Sequence, residues 1–301
     1  MIIKFVIKEE YNNTRLDRWF KKEVINLPQS LIEKHIRKNK IKINNRKIKS
    51  NYRLKTKDLV EIYDVKKFKE NKSDKTKKYT PKLSELKIFN DLIIDDNENF
   101  LVINKPAGLP VQGGTKSFKN LIDILSKSEY FKSSKPFVVH RIDKETSGLL
   151  LIAKNRKYAQ LFTSLFRIRK IHKTYITIVH GEFSKHVKKI ENNLITYENK
   201  RKLIQKAISH VKVLKTSNHF SLLEVNPLTG RKHQIRRQLL IMGNPVVGDN
   251  KYFIQRDKYN SMFLHAYKIK FIINNIKYNF KANYNKTFET FLNSQFKKDS
   301  F

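Results

Sequence analysis

His140-Arg141-Ile142-Asp143-Lys144-Glu145-Thr146-Ser147-Gly148 runs straight into Leu149-Leu150-Leu151-Ile152-Ala153-Lys154. An apolar run that short, entered from a glycine and closed by a lysine, reads as a buried strand. The charged loop before it is therefore anchored to the core, and a carboxylate on such a loop is held as firmly as catalysis requires. Arg141 and Lys144 flank Asp143 with positive charge. The same residues also suit a plain turn, with Asp143 capping backbone amides and Thr146 and Ser147 making turn bonds. Residue types alone leave both readings open.

Outward from this strand the chain alternates short elements of both kinds. Phe100–Lys105 forms a strand that ends in a proline turn. Residues 117–127 fit a helix with Phe118, Leu121, Ile122 and Leu125 inward, and 155–168 an amphipathic helix carrying Ala159, Phe162 and Phe166. Lys173-Thr174-Tyr175-Ile176-Thr177-Ile178-Val179 is a strand, as are 207–214 and 219–226; a helix at 231–242 precedes short strands at 269–273 and 277–282. Hairpins and irregular loops join most of these, which predicts a mixed or antiparallel sheet rather than regular βαβ winding. The class is α+β, with this larger domain covering 83–301.

The first 65 residues read as a separate small α/β unit. Leu16, Trp19 and Phe20 recur at helical spacing, with Val24 one turn on. After Leu27-Pro28 a second helix carries Leu31, Ile32, His35 and Ile36 on one face. A hairpin is expected around Asn44-Asn45, which tolerate the left-handed turn conformation, and a strand at 59–62. Residues 66–82 are too polar to pack and read as a basic linker.

Charge narrows the partners. The 301 residues hold 64 Lys and Arg against 27 Asp and Glu, a formal +37 that draws polyanions to the surface. From Lys34 to Lys57 there are eleven basic residues and no acid, among them Arg37, Lys38, Lys40, Lys42, Arg46 and Lys47, the candidate nucleic-acid contacts. The chain has no Cys, which excludes disulfides, thiolate metal sites and cysteine nucleophiles. Its nine His show no metal-ligand spacing. No apolar run approaches the roughly 20 residues of a spanning helix, and the charged N-terminus does not read as a signal peptide; a cytoplasmic monomer without membrane contact is expected.

Only eight glycines occur, and all lie between Gly108 and Gly248. Gly108-Leu109-Pro110-Val111-Gln112-Gly113-Gly114-Thr115 lacks the lysine a phosphate loop needs, so no nucleotide cofactor is expected. Thr229-Gly230-Arg231-Lys232-His233-Gln234-Ile235-Arg236-Arg237-Gln238 opens the 231–242 helix with three Arg in seven residues, in a chain that elsewhere prefers Lys. Arg offers bidentate contacts to carboxylate or phosphate, and a helix start attracts anions.

Taken in order, these segments resemble the RluA-type pseudouridine synthases. The 140–154 stretch is similar to their signature, Lys105-Pro106-Ala107-Gly108 with its loop to their upstream motif, and 173–181 and 230–238 to their second and third motifs. Gly243–Tyr252 and Leu264-His265-Ala266 resemble the trailing segments. Arg15-Leu16-Asp17-Arg18-Trp19 and the basic helix and turn after it resemble the RNA-binding domain first seen in ribosomal protein S-four. The chain departs from the usual pattern at Ile142, Gln238 and Phe253, and it has Asn39-Lys40 and Lys57-Asp58 where that RNA-binding domain commonly turns on Gly.

The resemblance implies an isomerase that breaks the N-glycosidic bond of a uridine in RNA and rejoins the base through carbon 5, without metal, redox agent or nucleotide. It implies Asp143 as the catalytic carboxylate, Tyr175 stacked on the uracil and assisting proton loss at carbon 5, and Arg236 paired with Asp143. Arg141 would occupy the space left by the flipped base, and Ile235 would wall the pocket. His140, Thr146 and Arg231 complete the substrate-binding set. Large-subunit ribosomal RNA is the expected substrate; tRNA, or a non-enzymatic role in ribosome assembly, are the alternatives.

Overall fold

The computed structural model describes residues 2–25, 27–64, 79, 81, 83–113, 119–198, 201–255 and 258–296. Its contacts divide the chain into two units, Met1–Lys77 and Lys78–Phe301. Of the expected linker at 66–82, only Tyr79 and Pro81 fall among the described residues.

The first unit comprises β1 (Ile2–Val6), α1 (Leu16–Glu23), α2 (Gln29–Arg37), β2 (Ile41–Ile43) and β3 (Leu59–Tyr63). Leu16, Trp19 and Phe20 are buried on α1, and Ile32 and Ile36 on α2, where helical periodicity stacks them on one face. Asp17 is buried as well, and accepts from Arg15 Nη2 at 2.6 Å and Gln29 Nε2 at 2.6 Å. This carboxylate ties the start of α1 to the start of α2. β3 is central in an antiparallel sheet of order β1-β3-β2. The sequence reading missed β1, whose outermost residues Ile2 and Val6 face solvent, so its apolar run carries no clear alternation.

Asn44 and Asn45 adopt φ of 49° and 60°, both left-handed, as the turn reading requires. The hairpin itself is reduced to one bridge between Ile43 and Arg46, because β2 spends its ladder on β3. Asn39 (φ 56°) and Lys57 (φ 68°) take left-handed positions that glycine would fill without strain. Asn274 and Asn275 repeat the Asn-Asn turn in the second unit, at 49° and 62°. A glycine-poor chain thus makes many of its left-handed turns with asparagine, whose short amide tolerates that region.

The second unit runs α3 (Leu83–Asn90), β4 (Ile93–Asp96), β5 (Phe100–Lys105), α4 (Leu121–Leu125), β6 (Phe137–Val138), β7 (Ser147–Ala153), α5 (Arg156–Arg167), β8 (His172–His180), β9 (Lys189–Glu198), β10 (Arg201–Thr216), β11 (Phe220–Pro227), α6 (Gln234–Ile241), β12 (Leu264–Ile273), β13 (Ile276–Lys281) and α7 (Lys286–Phe296). The sheet order is β4-β5-β7-β12-β8-β11-β10-β9, with β13 on β12 and β6 on β7. Among the described residues only β7 and β12 pair in parallel, so the sheet is mixed, as the α+β reading predicts. No helix among the described residues is long and apolar enough to cross a membrane.

Two helices are shorter than their periodicity suggests. The 117–127 helix begins at Leu121, because Asn120 caps it by accepting from the Asp123 amide; Phe118 lies outside the described residues. The 231–242 helix begins at Gln234, since His233 sits in the left-handed region at φ 52°.

Everything central to this sheet converges on the β7–β12 junction. All seven residues of β7 are buried. Ser147 and Gly148 pair with His265 and Ala266. Ser147 Oγ lies 2.9 Å from His265 Nδ1, and His265 Nε2 lies 3.2 Å from the Ala282 carbonyl. Burial pushes this imidazole down to about 4, so it stays neutral: Nε2 donates to Ala282 and Nδ1 accepts from Ser147. At Gly148 (φ +107°) a Cβ would fall 2.3 Å from the Ala266 carbonyl oxygen. Gly148→Ala should therefore cost about 2–4 kcal/mol, from overpacking and backbone strain together. Urea unfolding of the full chain checks this, and a midpoint equal to wild type would refute the close approach.

Candidate active site

Three elements aim side chains into one open cavity of about 880 Å³: the loop from β6 to β7, the strand β8, and the helix α6. Asp143, Tyr175 and Arg236 come one from each, and all three line it. Arg141, His140, Thr146, Ile235 and Arg231 line the same space. The structure brings together the whole set of catalytic-domain residues that the sequence singles out.

The loop is fixed from below. Lys105, fully buried at the end of β5, donates to the carbonyls of Pro106 (2.7 Å), Leu109 (2.9 Å) and Lys144 (3.0 Å). The Gly108 amide donates to the same Lys144 carbonyl at 2.9 Å. Burial lowers the lysine to about 7 while Glu145 and Asp143 pull it back up. Three carbonyl acceptors need three N–H donors, and only the ammonium form has three. A turn bond from the Thr146 amide to the Asp143 carbonyl (3.2 Å) closes the loop. The turn reading is thus met by the backbone of Asp143, while its carboxylate is turned toward Arg236.

Arg236 Nη1 donates to Asp143 Oδ2 at 3.1 Å. The rest of its fork is taken by Asp249, with Nε on Oδ2 at 2.6 Å and Nη2 on Oδ1 at 2.7 Å. The Asp249 side chain is 0% exposed and that of Arg236 5%, whereas Asp143 keeps 26%. Burial alone disfavours charge on Arg236, but the two carboxylates more than offset it. Asp249 Oδ1 also accepts the amides of Lys251 (2.9 Å) and Tyr252 (3.0 Å). The one carboxylate that opens to the cavity is therefore held by a guanidinium that is itself locked from behind.

His233 addresses the other oxygen of Asp143, with Nε2 3.7 Å from Oδ1. Its Nδ1 lies 2.8 Å from the Tyr252 hydroxyl. Burial lowers this imidazole, and Asp143 opposes that shift. In the neutral ring, a Tyr252 hydroxyl donating to Nδ1 leaves Nε2–H facing Asp143, the favourable tautomer. Tyr175 is pushed well above the usual phenol range by burial and then by the Asp143 charge, so it keeps its proton.

The supporting residues differ in role. His140 Nε2 accepts from the Leu151 amide at 2.9 Å and the ring stacks on Phe166 at 4.5 Å. Burial drives it down to about 3, so it is a neutral brace for β7. Thr146 is buried, Arg141 is exposed at the cavity, and Arg231 Nε donates to the Lys206 carbonyl at 3.0 Å. Ile235, 6% exposed, supplies apolar wall.

In the first unit, Arg37, Lys38, Arg46 and Lys47 are exposed. Lys40 pairs with Asp64 at 3.0 Å, and Lys42 places its ammonium 5.0 Å from the Tyr63 ring centroid. A second cavity of about 740 Å³ there is lined by Arg46, Lys47, Lys49, Lys55 and Tyr52. Among the described residues no group of His, Asp and Glu could hold a metal ion.

Sequence reasoning missed Asp249, His233 and Tyr252 as parts of the site. A signal for the first existed: Asp249 is the only acid between Glu224 and Asp257. Gly248 (φ +74°) turns the chain into it, and a Cβ there would fall 1.9 Å from the Ser261 carbonyl oxygen.

Residues 99–240 match the family model for RNA pseudouridylate synthase. The chain is 34% identical over 288 residues to ribosomal large subunit pseudouridine synthase C of Buchnera aphidicola subsp. Schizaphis graminum, covering 88% of each. It is 37% identical over 276 residues to the protein of that name from Rickettsia felis, covering 85% of this chain and 88% of the other. The structure of human RNA pseudouridylate synthase domain containing 4 overlays with a TM-score of 0.59 at 23% identity, covering 69% of this chain and 94% of that one, which shows the shared fold. With this fold, and with sequence identity of this extent, the chain belongs to the RNA pseudouridylate synthase family and is an isomerase that converts uridine in RNA to pseudouridine.

Proposed function

We propose that the chain modifies uridines of large-subunit ribosomal RNA, and that Asp143 is the group acting on the sugar. The observation that carries this is the hydrogen-bonded series Asp143–Arg236–Asp249, which aims one anchored carboxylate into a cavity large enough for a nucleotide. The names of the relatives support ribosomal RNA as the substrate.

The target atom is hidden in a stacked helix, so the nucleotide must be flipped out, at a cost of a few kcal/mol. Arg141, exposed beside the cavity, is suited to fill the gap. Asp143 then acts at the sugar, either by attack on carbon 1′ or by removing a sugar proton; both need its ionised oxygen free on the cavity side. The bond from carbon 1′ to N1 breaks, the base turns, a bond from carbon 1′ to carbon 5 forms with loss of the carbon 5 proton, and N1 takes up a proton, so the net change is an isomerisation. Tyr175 offers a ring face to the uracil. As a retained phenol it is a hydrogen-bond donor in the free protein, and takes up a proton-removing role only once the substrate changes its surroundings.

The basic first unit is proposed to grip RNA away from the reacting uridine. Arg37, Lys38, Arg46 and Lys47 project into solvent at the end of α2 and at the Asn44-Asn45 turn, where phosphates can reach them.

Two experiments test this function. Purified protein should introduce pseudouridine at defined positions of unmodified large-subunit RNA, mapped against a no-protein control, and Asp143→Asn should bind the same RNA without converting it. Marks appearing only in tRNA would overturn the substrate, and conversion by Asp143→Asn would overturn the residue. Replacing Arg37, Lys38, Lys42, Arg46 and Lys47 together with Gln should flatten the slope of log K against log salt by about 3.5 to 4.5 if all five meet phosphate, at about 0.7 to 0.9 per contact. Coincident slopes would make this basic face mere solvated surface.

A further inference from the structure

Two lysines of the larger unit lose water to their surroundings, Lys105 fully buried and Lys173 half-buried, and their partners differ. Lys105 meets three backbone carbonyls. Lys173, on β8 two residues before Tyr175, lines the active cavity, and its side chain has no hydrogen bond or ion pair among the described residues. Burial lowers its pKa, and no acidic neighbour acts against that shift. A half-buried ammonium whose side chain has no protein partner keeps all three N–H donors for a ligand.

Lys173 follows the last residue of α5 by six positions and lines the cavity with that connecting segment. Its charge helps depress His140, whose ring stacks on Phe166 of α5. His140, Phe166 and Lys173 line the same cavity. Arg167 and Arg169, at the end of α5, line the cavity as well. Arg167 has a single long contact, 3.4 Å to Ser164 Oγ, and neither arginine has a carboxylate partner among the described residues. Among the described residues Asp143 is the only acid in the cavity wall, and Arg236 holds it. The helix C-terminus accounts for cations at 167 and 169, but not for Lys173, which stands on a strand.

We infer that Lys173, with Arg167 and Arg169, forms an anion subsite for a phosphodiester group of the RNA backbone next to the flipped uridine. The inference rests on the synthase reading of this cavity. A uracil carbonyl is the rival ligand; being neutral, it gives three clustered cations weaker hydrogen bonds than an anion does. Phosphate is also the group that every target nucleotide brings, whatever its sequence.

The test uses the full-length protein and a stem-loop containing a uridine that wild type converts, which first establishes the synthase reading independently. Uncharged methylphosphonate is then placed, one position at a time, at the phosphates flanking that uridine. At one of them wild-type binding should weaken about 10- to 100-fold, the range for a charge-assisted hydrogen bond. Lys173→Gln should weaken binding of the unmodified RNA similarly, Lys173→Arg should restore most of it, and the methylphosphonate at that position should weaken Lys173→Gln no further. Additive losses at every position, or Lys173→Gln binding like wild type, would overturn the subsite. Should Lys173→Gln not fold, the wild-type scan still decides: no sensitive phosphate beside the target means no phosphate subsite. Conversion failing while the phosphate dependence holds would instead count against the synthase reading alone.

Discussion

One guanidinium organises this site. Arg236 spans two carboxylates, giving two of its nitrogens to Asp249 and a third to Asp143. Removing such groups from water costs several kcal/mol per ion, and the cost is offset only when geometry and extra hydrogen bonds are good. Here they are: Asp249 also accepts two backbone amides, and the Tyr252 ring lies with its centroid 5.0 Å from the guanidinium carbon. Asp143 is the open end of this arrangement, partly exposed where Asp249 is not.

The sheet supplies the rest of the precision. Tyr175 pairs across to Ala266 on β12, and Ala266 pairs with Gly148 on β7, five residues beyond Asp143. The acid loop and the aromatic strand are thus set against each other through three adjacent strands. Lys105 couples the end of β5 to the same loop through the Lys144 carbonyl. Displacing any of these strands would move Asp143 relative to Tyr175.

Much of this is legible in the residues. The buried strand at 149–153, the amphipathic helix carrying Phe162 and the arginines at 231–237 are local patterns, and each lies where its periodicity or charge places it. Asp143, Tyr175 and Arg236 are identified through motif resemblance and meet in one cavity. What escapes is what depends on distant partners. Asp249 looks like one surface acid until Gly248 turns it inward beneath Arg236. The early start of the 231–242 helix is contradicted by His233, whose left-handed backbone carries its ring toward Asp143, while Gln234 Oε1 accepts the Arg231 amide at 3.0 Å. Residues 189–198 and 286–296 carry strands and helices that read as polar sequence, because β9 is an edge strand and α7 buries only Phe288, Phe291 and Phe296.

The central claim is that catalysis depends on the forked geometry of Arg236 and not on its charge alone. Turnover by Arg236→Lys measures this most directly. Lysine keeps the positive charge but, as a point charge, cannot hold Asp249 in two-pronged fashion while reaching Asp143. The account predicts a loss of at least about 100-fold in single-turnover conversion, the scale of one misplaced electrostatic group, with the protein still folded and still binding RNA. A variant converting uridine at close to the wild-type rate would contradict it.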